Sequence, residues 1–145
     1  MALWAPTNST EIMSKKSLIK KRIDSFKFAF KGIRDLLKTQ MNARIHLCLT
    51  FLVIAGGFFF EISNIEWLIC LLAIATVFAA EAFNTALEYL TDLVSPEYHP
   101  LAGKAKDAAA AAVLILAIFA LIIGFMVFWQ PFWEFLKSTI NLSDF

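Results

Sequence analysis

Between residues 18 and 38 apolar side chains return at helical spacing, with Ile19, Ile23, Phe26, Phe30, Ile33 and Leu37 three or four positions apart and lysine or arginine on the other faces. This pattern predicts a basic amphipathic helix suited to a membrane surface. Downstream the periodicity is lost because almost every position is apolar. Three runs, at residues 45–62, 67–90 and 108–129, match the roughly 20 residues needed to cross a hydrocarbon core of about 30 Å. The pattern thus predicts an all-α integral membrane protein, with three transmembrane helices and an N-terminal amphipathic surface helix. Residues 1–17 read as a disordered polar tail, and Met13-Ser14-Lys15-Lys16 as the natural start of translation. Residues 130–145, with Trp133, Phe135 and Leu136, read as an interfacial tail.

Composition supports the membrane assignment. Hydrophobic residues make up 59% of the 145, fifteen of them Phe, more than a soluble core of this size hides. The net charge of +1 conceals an asymmetry, since ten of the thirteen basic residues precede position 45. By the positive-inside rule the N-terminus is cytoplasmic, the 61–66 loop outside, the 92–107 loop inside and the C-terminus outside. No cleavable signal segment is visible, so the first transmembrane helix must act as the insertion signal. Gly56-Gly57 permits close helix contact, and the alanine run 108–112 is expected to pack on the preceding helix. Cys48 and Cys70 lie in apolar runs without CxxC spacing and read as small buried hydrophobes.

Against this background one stripe stands out. At about 100° per residue Glu81, Asn84, Glu88 and Asp92 fall at roughly 0°, 300°, 340° and 20°, on one face of the second transmembrane helix. An ionisable group at membrane depth costs roughly 2.5–3.5 kcal/mol even on insertion scales. Such a stripe is therefore a site candidate. A crossing that starts at Trp67 ends near Leu87, leaving Glu88 and Asp92 at the surface and Glu81 about 10 Å deeper. Glu88, in reach of water, suits Mg²⁺, which prefers carboxylate and phosphate oxygens. Glu81 is placed to take a proton from a hydroxyl that never leaves the membrane.

The segments around the stripe supply further candidates. Arg44 and His46 read either as interfacial anchors or as site residues. In the inner loop Pro96 and Pro100 end the second transmembrane helix and shape the turn. Lys104 and Lys106 serve as topology signals or phosphate partners, while Asp107 joins a metal site or caps the next helix. No GxxxxGK[ST] or GxGxxG occurs, so any nucleotide site must be built on membrane helices. No nucleic-acid partner is expected.

The run Glu81-x-x-Asn84-Thr-Ala-Leu-Glu88-x-x-x-Asp92, followed by Ser95-Pro-Glu-Tyr-His99-Pro-Leu-Ala-Gly-Lys-Ala-Lys106-Asp107, resembles the signature of the prokaryotic diacylglycerol kinase family, which includes the undecaprenol kinases. Lys31-Gly32 and Arg44-Ile45-His46 extend the resemblance over about residues 18–129. The resemblance implies a homotrimer with active sites shared between subunits. It also implies transfer of the γ-phosphate of MgATP to the hydroxyl of a membrane lipid, undecaprenol or diacylglycerol, in the bacterial cell membrane. Carried over residue by residue, Glu81 is the base. Glu88 and Gln40 are metal ligands, and Asn84, Glu97, Tyr98, His99, Lys106 and Asp107 join them in the ATP site. Lys21 or Arg22 supplies a phosphate contact, while Arg34 and Arg44 lie with Glu81 near the lipid acceptor. Gln40 departs from the family, which commonly has a metal-binding Glu there. An amide oxygen coordinates Mg²⁺ without negative charge, so weaker metal affinity is expected. Phe28 stands where a Tyr is frequent. A catalytically silent membrane scaffold of the same fold is the alternative, and a small ion-coupled transporter a more distant one.

Overall fold

A computed structural model describes residues 15–140, and the expectations for the start at Met13 and for the extreme ends lie outside them. The chain divides into two units, one running to Arg34 and the other from Asp35 onward. The described residues form four helices: α1 (Lys15–Thr39), α2 (Met41–Phe59), α3 (Asn64–Val94) and α4 (Pro100–Ile140). Three of them, α2, α3 and α4, are long and apolar enough to cross a membrane.

In the N-terminal unit the predicted amphipathic pattern is helical, and Ile19, Ile23, Phe26, Phe30 and Ile33 are all exposed along α1. A single residue, Gln40, separates α1 from α2. Its backbone is extended, with φ −98° and ψ 117°, and no side-chain bond caps α2 there. Leu36 and Ala43 are buried on either side of this break.

The α2–α3 connection is a tight hairpin. Ile62 N–H donates to Gly57 O at 3.1 Å and Phe60 N–H to Gly56 O at 2.8 Å, while Glu61 takes the left-handed conformation at φ 50°. This is a Schellman-type end with Glu61 where glycine is usual. Ser63 then caps α3. Its hydroxyl accepts from Glu66 N–H at 3.3 Å, and its own N–H donates to the Glu66 carboxylate at 2.7 Å. The Ser-x-x-Glu spacing of this capping box was present in the sequence. Gly57 permits the close approach foreseen for the glycine pair: a Cβ there would lie 2.6 Å from the Trp67 ring. Ile62, Cys70 and Val127 form a small core at this end, with Trp67, Phe60 and Phe128 packed around it.

The α3–α4 connection differs from the expected sixteen-residue loop, since only residues 95–99 lie between the helices. Pro100 starts α4 instead of ending α3, because the first helical position needs no N–H and favours proline's fixed φ. His99 caps the new helix: its Nδ1 accepts from Leu101 N–H at 3.2 Å and its carbonyl from Gly103 N–H at 3.1 Å. Lys104, Lys106 and Asp107 are therefore helical residues, and Asp107 lies too far into α4 to cap it. At the other end α4 continues through Pro131 to Ile140, across much of the segment read as a tail. Trp129 and Trp133 stack there with centroids 6.2 Å apart.

Helix α4 packs mainly along α3, with Ala109 of the alanine run buried, and α2 packs on α3 less extensively. Cys70 is buried as expected. Cys48 is exposed instead, because α2 has few neighbours to cover it within one chain.

Candidate active site

The stripe on α3 becomes a gradient of burial. Glu81 is 1% exposed and Asn84 8%, Glu88 is half-buried, and Asp92 is exposed. Three sets of polar contacts follow one another along this face.

The deepest set pairs Glu81 with His46 of α2, whose Nε2 lies 3.4 Å from Glu81 Oε1. Glu81 Oε1, Asn84 Oδ1 and Thr85 Oγ1 are buried without a hydrogen-bond partner. Such groups are costly to bury unless a ligand or the chemistry uses them. Thr50 of α2 donates to the His46 carbonyl at 2.8 Å, within the same helix.

The second set surrounds Glu88. Asn84 Nδ2 donates to Glu88 Oε1 and Gln40 Nε2 to Glu88 Oε2, both at 3.1 Å. The break between α1 and α2 aims Gln40 here, and a second contact holds that corner. Tyr89 OH donates to Asp35 Oδ2 at 2.9 Å and lies 3.3 Å from Thr39 Oγ1. Among the described residues no three His, Cys, Asp or Glu side chains converge as a metal-binding group. The chain's own donors at this level are thus one carboxylate and two amides. That set fits a hard divalent cation that keeps waters and substrate phosphates in its shell, and the unpartnered Asn84 Oδ1 is a free donor beside it.

In the outermost set Lys106 pairs with Asp92, joining α4 to α3. Glu97, Tyr98 and His99 line, with both of these residues, a polar cavity of about 200 Å³. Tyr98 is 90% exposed. The structure thus brings together Glu81, Asn84, Glu88 and Gln40 along one path, and Glu97, Tyr98, His99 and Lys106 at its end. Asp107 and Lys104 are exposed on α4, and Arg44 is exposed on α2 without joining either group. Lys21, Arg22 and Arg34 are exposed residues of the N-terminal unit.

Sequence reasoning left the role of His46 open and did not foresee the Asp35–Tyr89 contact or the Asp92–Lys106 pair. His46 lies thirty-five positions from Glu81, so only helix packing brings the two together. Lys106 lies fourteen positions from Asp92 and reaches it because α4 starts early.

Known proteins match this sequence. The prokaryotic diacylglycerol kinase family pattern covers residues 27–128. The chain is 42% identical over 104 residues to an undecaprenol kinase of Bacillus subtilis, spanning 72% of this chain and 85% of the relative. It is 39% identical over 108 residues to a diacylglycerol kinase of Synechocystis, spanning 74% and 62%. It is 29% identical over 105 residues to a diacylglycerol kinase of Escherichia coli, spanning 72% and 86%. Fold and site define a multi-pass membrane enzyme that phosphorylates a lipid alcohol, and the scaffold alternative is set aside. The chain belongs to the prokaryotic diacylglycerol kinase family.

Proposed function

We propose that this lipid kinase moves the γ-phosphate of ATP onto the hydroxyl of undecaprenol or diacylglycerol, with Glu81 as the general base. The observation that carries the proposal is the burial of the Glu81 carboxylate beside His46, two helical turns from a second carboxylate held by amides. A buried base near the hydroxyl and a wetter carboxylate near the phosphates are what transfer between a membrane alcohol and a soluble nucleotide requires.

Glu81 accepts the hydroxyl proton as the lipid oxygen bonds to the γ-phosphorus and the bond to the β-phosphate oxygen breaks, releasing ADP. Glu88, with Asn84 and Gln40, would hold Mg²⁺, which when bound would neutralise phosphate charge. Lys106 exchanges its partner Asp92 for the γ-phosphate. Glu97, Tyr98, His99 and Asp107 contact the nucleotide, and Lys21 or Arg22 meets a phosphate. Arg34 and Arg44 meet the lipid headgroup region. Most of the acceleration comes from positioning and electrostatics. The N-terminus is cytoplasmic, the side where ATP is available, and the assembly is a homotrimer with sites shared between subunits.

Glu81→Gln keeps the shape but removes the base. Lipid phosphorylation should be abolished while ATP binding is retained, and near-normal turnover would overturn the assignment. Incubation of purified protein with Mg²⁺, labelled ATP and either undecaprenol or diacylglycerol in separate micelles shows which lipid gains label.

A further inference from the structure

Two neighbouring residues of α3 grip the same short stretch of chain at the α1–α2 break. Glu88 accepts from Gln40 Nε2 at 3.1 Å, and Tyr89 OH donates to Asp35 Oδ2 at 2.9 Å. Thr39, one residue before Gln40, donates its hydroxyl to the Asp35 carbonyl at 2.9 Å and lies 3.3 Å from the Tyr89 oxygen. Gln40 itself is a one-residue extended joint: its N–H donates to Leu36 O at 2.9 Å, while no side-chain bond caps α2. Among the described residues the helices that pack along each other are α3 with α4 and α2 with α3, so no long interface orients the last turn of α1. Leu36 is buried there, but apolar burial is non-directional. The direction of this turn is therefore set by two polar points, where one alone would leave a pivot.

We propose that Tyr89, acting through Asp35, is a positioning residue that keeps Gln40 beside Glu88 when the Gln40 amide turns from its hydrogen bond to a divalent cation. The proposal rests on the reading that Glu88 and Gln40 hold Mg²⁺. In the structure Gln40 faces Glu88 with Nε2, a donor. A hard cation takes oxygen ligands, so the amide must offer Oε1 instead, and the Nε2 bond to Glu88 is given up. That removes one of the two points just when Gln40 has to stay in reach. The Tyr89–Asp35 clasp does not use the amide and survives the turn. A phenol donating to a carboxylate is also a charge-assisted bond, one of the stronger kinds. A neutral ligand depends on such holding more than a charged one, because an amide oxygen meets the cation through its dipole alone. Groups that orient metal ligands typically change metal affinity by roughly 10–100-fold when lost. Tyr89 is 49% exposed, which weakens its bond by screening and lowers the expected effect to about fivefold.

Tyr89→Phe keeps the ring and removes the hydroxyl. In the purified full chain its Mg²⁺ half-saturation for lipid phosphorylation should rise at least threefold, with KM for the lipid acceptor within twofold of the starting protein. Gln40→Ala should raise the Mg²⁺ half-saturation too, and adding Tyr89→Phe to it should change nothing further, because the clasp acts through that side chain. Asp35→Ala should match Tyr89→Phe, while Asp35→Asn, which keeps an acceptor oxygen, should restore most of the affinity. Hydrogen exchange gives a reading without metal or turnover: in EDTA, Tyr89→Phe should speed exchange in peptides holding residues 40–44 at least threefold. A smaller rise in Mg²⁺ half-saturation, effects that multiply in the double variant, or unaltered exchange at 40–44 would overturn the proposal. An equal rise in KM for the lipid would overturn it as well, by assigning the hydroxyl to general stability. Gln40→Ala with an unchanged Mg²⁺ requirement refutes the metal reading instead, and exchange at 40–44 still decides whether Tyr89 holds the joint.

Discussion

Replacing Gln40 by glutamate exchanges the amide that donates to Glu88 Oε2 at 3.1 Å for a second carboxylate. Without a cation, the hydrogen bond to a charged acceptor is lost, at about 1.5–3 kcal/mol. Two like charges about 4 Å apart also repel by about 4 kcal/mol at an effective dielectric near 20. Both side chains are only half-buried, so solvent screens much of this, and about a third, ~1.4 kcal/mol, is a fair remainder. A divalent cation between the two carboxylates reverses the sign, and ~1.4 kcal/mol is tenfold in affinity. The assay is initial rate of lipid phosphorylation against Mg²⁺ concentration, paired with the thermal midpoint in detergent with EDTA or excess Mg²⁺. Gln40→Glu should lower the Mg²⁺ half-saturation about tenfold. Its midpoint should fall in EDTA and recover with Mg²⁺. An unchanged Mg²⁺ requirement together with a metal-insensitive midpoint would show that position 40 does not face the cation.

Other substitutions test the scaffold and the nucleotide end. Gly57→Ala puts a Cβ 2.6 Å from the Trp67 ring and should cost about 1–3 kcal/mol in chemical or thermal unfolding. Gly56→Ala meets Phe128 at 3.2 Å and should cost less, so equal effects would refute the close-approach argument. Ser63→Ala removes the α3 cap and should cost about 1 kcal/mol with kinetic constants unchanged. Asp92→Asn breaks an exposed ion pair worth about 0–1 kcal/mol, so the thermal midpoint should hardly move. Lys106→Ala should raise KM for ATP tenfold or more, and an unaltered KM would remove Lys106 from the phosphate site.

The parts of the fold visible in the sequence were those set by local chemistry. Long apolar runs identified α2, α3 and α4, and period-3.6 patterning identified α1, because both signals are carried by neighbouring residues. The stripe from Glu81 to Asp92 was legible for the same reason, since one helix fixes its geometry. What escaped were arrangements between helices. Nothing near His46 in the chain announces Glu81, and nothing near Tyr89 announces Asp35. The early start of α4 was hidden by reading Pro100 as a breaker, although proline at a first helical turn is a starter. The Ser63–Glu66 capping box is local too, a Ser-x-x-Glu spacing just ahead of the apolar run of α3.

That cap has a consequence for the membrane itself. Ser63 fixes where α3 begins, and Glu81 follows it by 81 − 63 = 18 residues, a rise of about 27 Å. A hydrocarbon core is about 30 Å thick. With the cap at one face, Glu81 would lie within about 3 Å of the other, and Glu88, about 10 Å further along the helix, would stand about 7 Å past that face. Helix α3 therefore works as a ruler laid across the bilayer. Lipids with shorter chains would expose the base to headgroups and water, while longer ones would draw Glu88 toward the hydrocarbon, so turnover should peak at one acyl length.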